Sequence, residues 1–323
     1  MASSEAAGGR KVFESICGPP KGKFLETTHG TTHYVLETSA NKSNDSPLVV
    51  LLHGIAGNLG LFDKIAADLL EKGDAGQVLR YDLYDRGYSE SNMEEYPIVT
   101  TGVHPLDFTL ELHVQQLKDV LEKLELANHK KIILCGHSTG GAAIIGYAAE
   151  NPDNIAGMIL IDSVGLPISS PLVAKLANLP ILGTFLVRAF GVKGFLKFAR
   201  QSLAQPDEMQ EYLGTLERNA NANPRFFAAI RSTNNKCKGF GGTTAEPEYR
   251  QCCQAKIPMH LIWGKEDKAV PYTNCCKMKA IAEELGTQVT ETSFDGMPHN
   301  IFFSDAKPVE CAKLICDFVA AKK

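Results

Sequence analysis

In the stretch KKIILCGHSTGGAAIIGYAAE, Lys130 to Glu150, branched apolar residues run directly into a serine set between glycines and then into small apolar residues. A strand that ends in Gly136-His137-Ser138-Thr139-Gly140 and opens a helix holds Ser138 on a tight bend above the sheet, the placement of a serine nucleophile. Gly and Ser also favour ordinary turns, so the motif does not decide the matter alone. A nucleophilic serine needs a base to take its proton and a carboxylate to orient that base. On an α/β sheet these follow in the order Ser, Asp or Glu, His. Ser138, Asp267 and His299 stand in that order.

The acid has rivals: Glu266 is adjacent, Asp162 follows the preceding strand pattern, and Asp295 lies four residues before His299. Asp267 is favoured because LIWGKEDKAVP reads as a strand, a Gly turn, then a carboxylate ahead of Val270 and Pro271, with Asp162 second. An isolated aspartate is more often a cap or turn residue; here several strand ends carry matching residue types. For the base, His29, His33, His104 and His113 precede the serine away from the expected strand ends, and His129 and His260 sit beside strand starts. His53 and His137 read as supporting residues, the first for the turn at Gly54, the second beside the serine but pointing elsewhere. The oxyanion of a tetrahedral intermediate needs two backbone donors. Thr139, next after the nucleophile, and Ile55 in the loop HGIAGN are the expected donors, with Gly54 and Gly57 permitting the loop's shape.

These residues need a sheet to hold them. PLVVLLHG, GQVLRYDLYDRG, KIILCGHS, GMILIDSVG and HLIWGKED are near-continuous apolar runs that end in polar turns, the pattern of strands buried on both faces; QVTETSF is a further strand candidate. Helical spacing recurs from Leu59 to Lys72, at Leu110, Val114, Leu117, Leu121 and Leu124, and in a closing helix from Pro308. Such alternation predicts a doubly wound, mostly parallel α/β sheet, with ligands outside the carboxyl ends of its strands. GKFLETTHGTTHYVLETS, split at His29 and Gly30, predicts a hairpin. Residues 1–21 read as a loose tail, 22–165 and 250–323 as the core, and 166–249, which carries apolar helical patterns but no strand run, as an inserted helical cap.

The blocks LVVLLHG, RYDLYDRGYSES, GHSTGG, LIDSVGLP, LIWGKEDKAVP and GMPHN, from about Gly22 to Ala320, resemble the α/β-hydrolase superfamily, in particular its lid-bearing esterase and monoacylglycerol-lipase-like members. The resemblance implies the α/β-hydrolase fold and a serine hydrolase that cleaves acyl esters through an acyl-enzyme, with Gly136 and Gly140 supporting the serine turn. Its substrates would be small acyl esters or lipids of monoacylglycerol type. A carbon–carbon bond hydrolase with the same triad is the alternative within the class; a non-catalytic ligand-binding protein is the alternative outside it. Dehalogenase-like and epoxide-hydrolase-like relatives carry Asp where Ser138 stands. Thr139 stands where Met or Leu is common, Asp85 where Gly is common, and HGIAGN lacks a frequent Pro.

Composition narrows the remaining classes. The 323 residues, 44% hydrophobic and 22% charged with a net charge of −4, are those of an ordinary globular chain, with no basic excess for nucleic acid. Nine cysteines, an odd count with no C-x-x-C pair, argue against a disulfide framework or a zinc site. Cys135, Cys311 and Cys316 read as small apolar fillers; no metal or cofactor is expected. The amino terminus lacks a signal-peptide core, so the expected location is cytoplasmic, with the sequons at Asn41 and Asn44 bare on a surface loop. Within the cap, Ser169 to Leu203 contains Lys175, Arg188, Lys193, Lys197 and Arg200 but no acid. A helix there sets Lys193, Lys197 and Arg200 on one face and Phe195, Phe198 and Ala199 roughly opposite, suited either to covering an acyl pocket or to weak peripheral contact with an anionic membrane.

Overall fold

The computed structural model describes residues 18–40, 43, 45–72, 75–92, 106–168, 180–203, 210–223, 225–301 and 307–322. The first 17 residues of the expected tail, the sequon residues Asn41 and Asn44, Lys175 and the side chain of Arg188 lie outside them. The strands are β1 (Lys23–Thr27), β2 (Gly30–Thr38), β3 (Leu48–Leu52), β4 (Gln77–Tyr81), β5 (Glu90–Ser91), β6 (Ile132–His137), β7 (Ile155–Ile161), β8 (Met259–Gly264) and β9 (Val289–Phe294). They form one sheet in the order β1-β2-β4-β3-β6-β7-β8-β9, with β5 beside β2. The hairpin at His29 and Gly30 is β1–β2, antiparallel; β2 is also antiparallel to β4. From β4 to β9 every neighbour is parallel.

Sequence and burial agree on why. LVVLL, IILCGH and MHLIWG have no exposed position, and their alternate side chains feed two cores, because successive residues of a strand point to opposite faces. Val50, Leu52, Leu134, Leu160 and Trp263 enter one cluster, whereas Val49, Leu51, Ile133, Ile159 and Ile262 enter the other. The first core is covered by α2 (Leu110–Lys123), α3 (Thr139–Glu150), α7 (Glu246–Gln254) and α8 (Tyr272–Glu284), the second by α1 (Asp63–Glu71) and α9 (Lys307–Ala320). Thr109 caps α2 by accepting the Leu112 N–H at 3.2 Å.

Between β7 and β8 the described residues form helices α4 (Pro180–Gln201), α5 (Gln210–Ala222) and α6 (Phe226–Lys236), then α7, with no strand beyond one bridge from Leu203 to Asn300. Ala199, Leu203, Leu213 and Leu216 extend the second core, and Ala229 of α6 packs with Tyr84, Phe108 and Leu112. The face expected for α4 is only partly observed. Phe195 turns inward against Phe226 and Phe227, but Phe198 is 52% exposed on the side that carries Lys197. One helical step of 100° puts neighbouring residues near the same edge, so the two faces are not cleanly opposed.

The chain visits β4 on one side of β3 and then β6 on the other. The loops after β3 and β6 therefore leave in opposite directions and open a crevice at their carboxyl ends.

Candidate active site

Ser138 sits in that crevice, between the last residue of β6 and the first of α3, at φ 53° and ψ −120°. Such a conformation is costly for a side chain with a Cβ and persists only where its surroundings enforce it. Three main-chain bonds do so: the Ser138 N–H donates to Ile161 O at 3.0 Å, and its carbonyl accepts from Gly141 and Val164 at 3.0 and 2.9 Å. The flanking glycines leave the room. A Cβ on Gly136 would meet the Gly140 carbonyl at 2.6 Å, and one on Gly140 would collide with the Leu52 carbonyl of β3.

The structure brings the three spaced residues together. The Ser138 hydroxyl lies 3.0 Å from His299 Nε2, and His299 Nδ1 lies 2.7 Å from Asp267 Oδ2. A carboxylate can only accept, so Nδ1 carries the ring proton and Nε2 is left to accept from the serine. Asp267 is held by the turn after β8, where its Oδ1 accepts the N–H groups of Ala269 and Val270 at 2.7 and 2.9 Å. All three residues are buried.

The rival acids fall elsewhere. Asp295 is exposed and pairs with Lys265 at 2.8 Å, and Glu266 is exposed. Asp162 is fully buried after β7, yet its Oδ1 accepts from Gly264 N at 2.9 Å and its Oδ2 has no partner among the described residues. Burial, and next the Asp267 charge, push its carboxyl well above the usual range. His137 is closer to the site than expected: its Nε2 donates to the His299 carbonyl at 3.3 Å, and the two rings lie tilted at 40° with centroids 5.0 Å apart. Burial drives it far below its ordinary pKa, which makes it a neutral support under the base.

The loop after β3 approaches from the other side; a Cβ on Gly54 would lie 3.0 Å from Ser138 Cβ. His53 is fully buried, and burial lowers its pKa to about 4. In the neutral ring Nδ1–H donates to Gly54 O at 2.7 Å and Nε2 accepts from Leu83 N at 3.0 Å. Gly54 O belongs to the same peptide as the Ile55 N–H, so His53 sets the plane of that donor. Among the described residues the Ile55 N–H has no protein acceptor, and Thr139, at the start of α3, has none within its helix.

Two supporting residues carried no role in the sequence. Asp82, after β4, accepts from Leu59 N (2.7 Å), Tyr88 N (2.9 Å) and His33 Nδ1 (2.8 Å), and so ties the loop after β3 and its own loop to β2. Arg86 is wholly buried and donates to Ile55 O at 2.8 Å. Its signal was a charge inside DLYDRG, a turn that follows a buried strand.

Phe198, Ser202, Leu203, Ala269, Pro298 and His299 line a cavity of about 270 Å³ beside the base. His137, Asp162 and His299 offer donor atoms within 4.8 Å of one another, the spacing of a metal site. A cation there would compete with the Asp267 and Ser138 bonds of His299, and the burial of Asp162 works against the ionised carboxylate that a metal needs.

An open sheet with a strained serine at its switch point and a hydrogen-bonded histidine and aspartate defines a hydrolase-like scaffold. The alpha/beta hydrolase fold family model matches residues 47–306, and the chain belongs to that family. It is similar, at 22% identity over 306 residues, to an uncharacterized protein of Mycobacterium tuberculosis, a match covering 89% of this chain and 78% of that one. Over 127 residues, 39% of this chain and 42% of the relative, it is 26% identical to the esterase YbfF of Escherichia coli K12. Among solved structures, an enol-lactonase from Burkholderia xenovorans superposes with a TM-score of 0.67 at 17% identity, covering 92% of this chain and all (100%) of that one.

Proposed function

We propose that this chain is a serine hydrolase of carboxylic esters, acting through an acyl-enzyme. The observation that carries the reading is the unbroken chain of hydrogen bonds from strained Ser138 through His299 to Asp267. Ser138 Oγ attacks the acyl carbonyl while His299 Nε2 takes its proton, and the imidazolium is balanced by Asp267. The N–H groups of Ile55 and Thr139 receive the oxyanion. Collapse of the tetrahedral adduct breaks the bond to the alcohol, which leaves with the proton from His299. Water, deprotonated by His299, then adds to the acyl-enzyme and releases the acid and the free serine. The residues themselves supply nucleophile, base and donors, so the mechanism calls for no cofactor or metal.

Residues 166–249 serve in this reading as a cap over the acyl chain, and the substrate is a small acyl ester or a lipid of monoacylglycerol type, not a nucleic acid. No helix of the described residues is long and apolar enough to cross a membrane. Exposed Lys193, Lys197, Phe198 and Arg200 on α4 suit weak contact with an anionic interface; the protein is otherwise read as cytoplasmic. The test is labelling by a fluorophosphonate, then turnover of aryl esters of increasing acyl length beside a monoacylglycerol. Labelling should vanish in Ser138→Ala. A folded wild type that never labels would end the hydrolase reading in favour of a ligand-binding protein, and turnover of a dienone but of no ester would replace it with carbon–carbon cleavage.

A further inference from the structure

Arg86 is a buried guanidinium whose three directional bonds lead to three different parts of the chain. Nε–H donates to Ile55 O at 2.8 Å, Nη1–H to Tyr84 O at 2.9 Å and Nη2–H to Thr233 Oγ1 at 2.8 Å. Its plane lies over the Phe108 ring, 4.9 Å from the centroid. Thr233 is in α6, and its hydroxyl passes its own proton to Ala229 O at 2.9 Å, so its lone pairs are turned to the arginine. Beside it, Ser232 Oγ accepts the Phe108 N–H at 3.0 Å. Burying a guanidinium is expensive even with the Asp85 charge nearby, and replacing buried ions by apolar side chains of similar volume is often neutral or stabilising. The guanidinium does what an apolar filler cannot: it fixes a carbonyl direction.

That carbonyl is Ile55's. The peptide before Ile55 is held by His53 through Gly54 O and the peptide after it by Arg86 through Ile55 O. Both soft dihedrals of Ile55 are therefore set by side chains, and one of the two anchors is itself tied to α6. We propose that Arg86 is a positioning residue that makes the aim of the Ile55 N–H depend on how α6 is seated, so that the oxyanion site is complete only when the cap is in place. Only the role given to Ile55 rests on the hydrolase reading; the mechanical link from Thr233 to residues 54–58 does not.

The experiment compares the full-length wild type with Thr233→Val, which keeps shape but removes the acceptor, and with Thr233→Ser, which restores it. Backbone hydrogen exchange across Gly54–Asn58 should rise in Thr233→Val and return toward wild type in Thr233→Ser. On an aryl ester, Thr233→Val should lower kcat by about three- to tenfold with KM within about twofold, a fraction of the roughly 10²–10³-fold that loss of an oxyanion donor costs. Exchange at 54–58 unchanged by Thr233→Val would overturn the link whatever the activity, and a loss confined to KM would overturn its catalytic role. A wild type that fails to label with fluorophosphonate would count against the hydrolase reading alone, because the exchange comparison still decides the link.

Discussion

Ser138 keeps a left-handed backbone at a cost on the order of 1–3 kcal/mol, and the main-chain bonds that enforce it do not involve the hydroxyl. Ser138→Ala is therefore expected to lower turnover by a factor on the order of a million while its melting temperature stays near that of wild type. The two buried aspartates should separate cleanly. Asp267→Asn replaces the acceptor of the His299 Nδ1 proton and should cost roughly 10⁴-fold in kcat. Asp162→Asn leaves the His299 Nδ1 bond to Asp267 in place and should cost far less than Asp267→Asn. The reverse ranking, measured on one ester, would move the acid to Asp162. Residue order in the chain pointed to Ser138 and His299, because few residues of those types fall at strand ends. Order alone left Asp267 and Asp162 both open, since both follow apolar strands; the Gly turn and the Val270-Pro271 exit favoured Asp267, and its carboxylate is the one that reaches Nδ1.

At the scale of elements, the serine turn depends on how closely α3 can approach β3. Gly140 lets them meet at the Leu52 and His53 carbonyls, backbone atoms that cannot swing aside. Gly140→Ala should destabilise by about 1–3 kcal/mol, the range of an overpacked core, and should lower kcat beyond what the lost stability explains; urea unfolding and steady-state kinetics on one preparation check both. For α4, each cation near an anionic surface is worth about 1 kcal/mol at most, so attachment should be weak and salt-sensitive. Co-sedimentation with anionic vesicles at low salt should fall when Lys193, Lys197 and Arg200 are changed to Glu, and also in Phe198→Ser. Equal sedimentation by wild type and the triple variant would leave α4 as a pocket cover only.

The whole molecule carries a pH dependence set by buried imidazoles. Burial lowers the pKa of His53 to about 4 and of His113 to about 3, and drives His137 far down as well. In the folded chain these rings stay neutral as pH falls below about 6.5, whereas in the unfolded chain they take up protons. The unfolded state then binds more protons, so stability is lost on acidification from about pH 6.5 toward 4, with a slope of up to about 1.4 kcal/mol per pH unit for each ring. His113 is the best probe, since both its ring nitrogens lack partners among the described residues. His113→Leu should raise stability by about 1 kcal/mol at neutral pH and flatten the fall between about pH 6.5 and 4, as read from urea midpoints. A slope identical to wild type would mean that His113 is protonated in the folded state.

Much of this protein is written locally. Runs such as LVVLL and IILCGH bury both faces wherever they lie, so they announce a covered, mostly parallel sheet, and the glycines around Ser138 announce a bend that other residues would obstruct. The alternation of strand and helix patterns also fixes which ends of the strands hold the polar residues. The tertiary structure alone decided the pairings that join distant segments. His33 meets Asp82 across 49 residues, and Arg86 meets Thr233 across 147; neither carries a periodic or spacing signal. It likewise turned Phe198 to solvent on α4 and set His137 beneath His299. Hydrophobic periodicity reports which face of an element is buried, but a hydrogen bond is directional and short, so its partner is chosen only when the sheet and helices have brought both groups within about 3 Å.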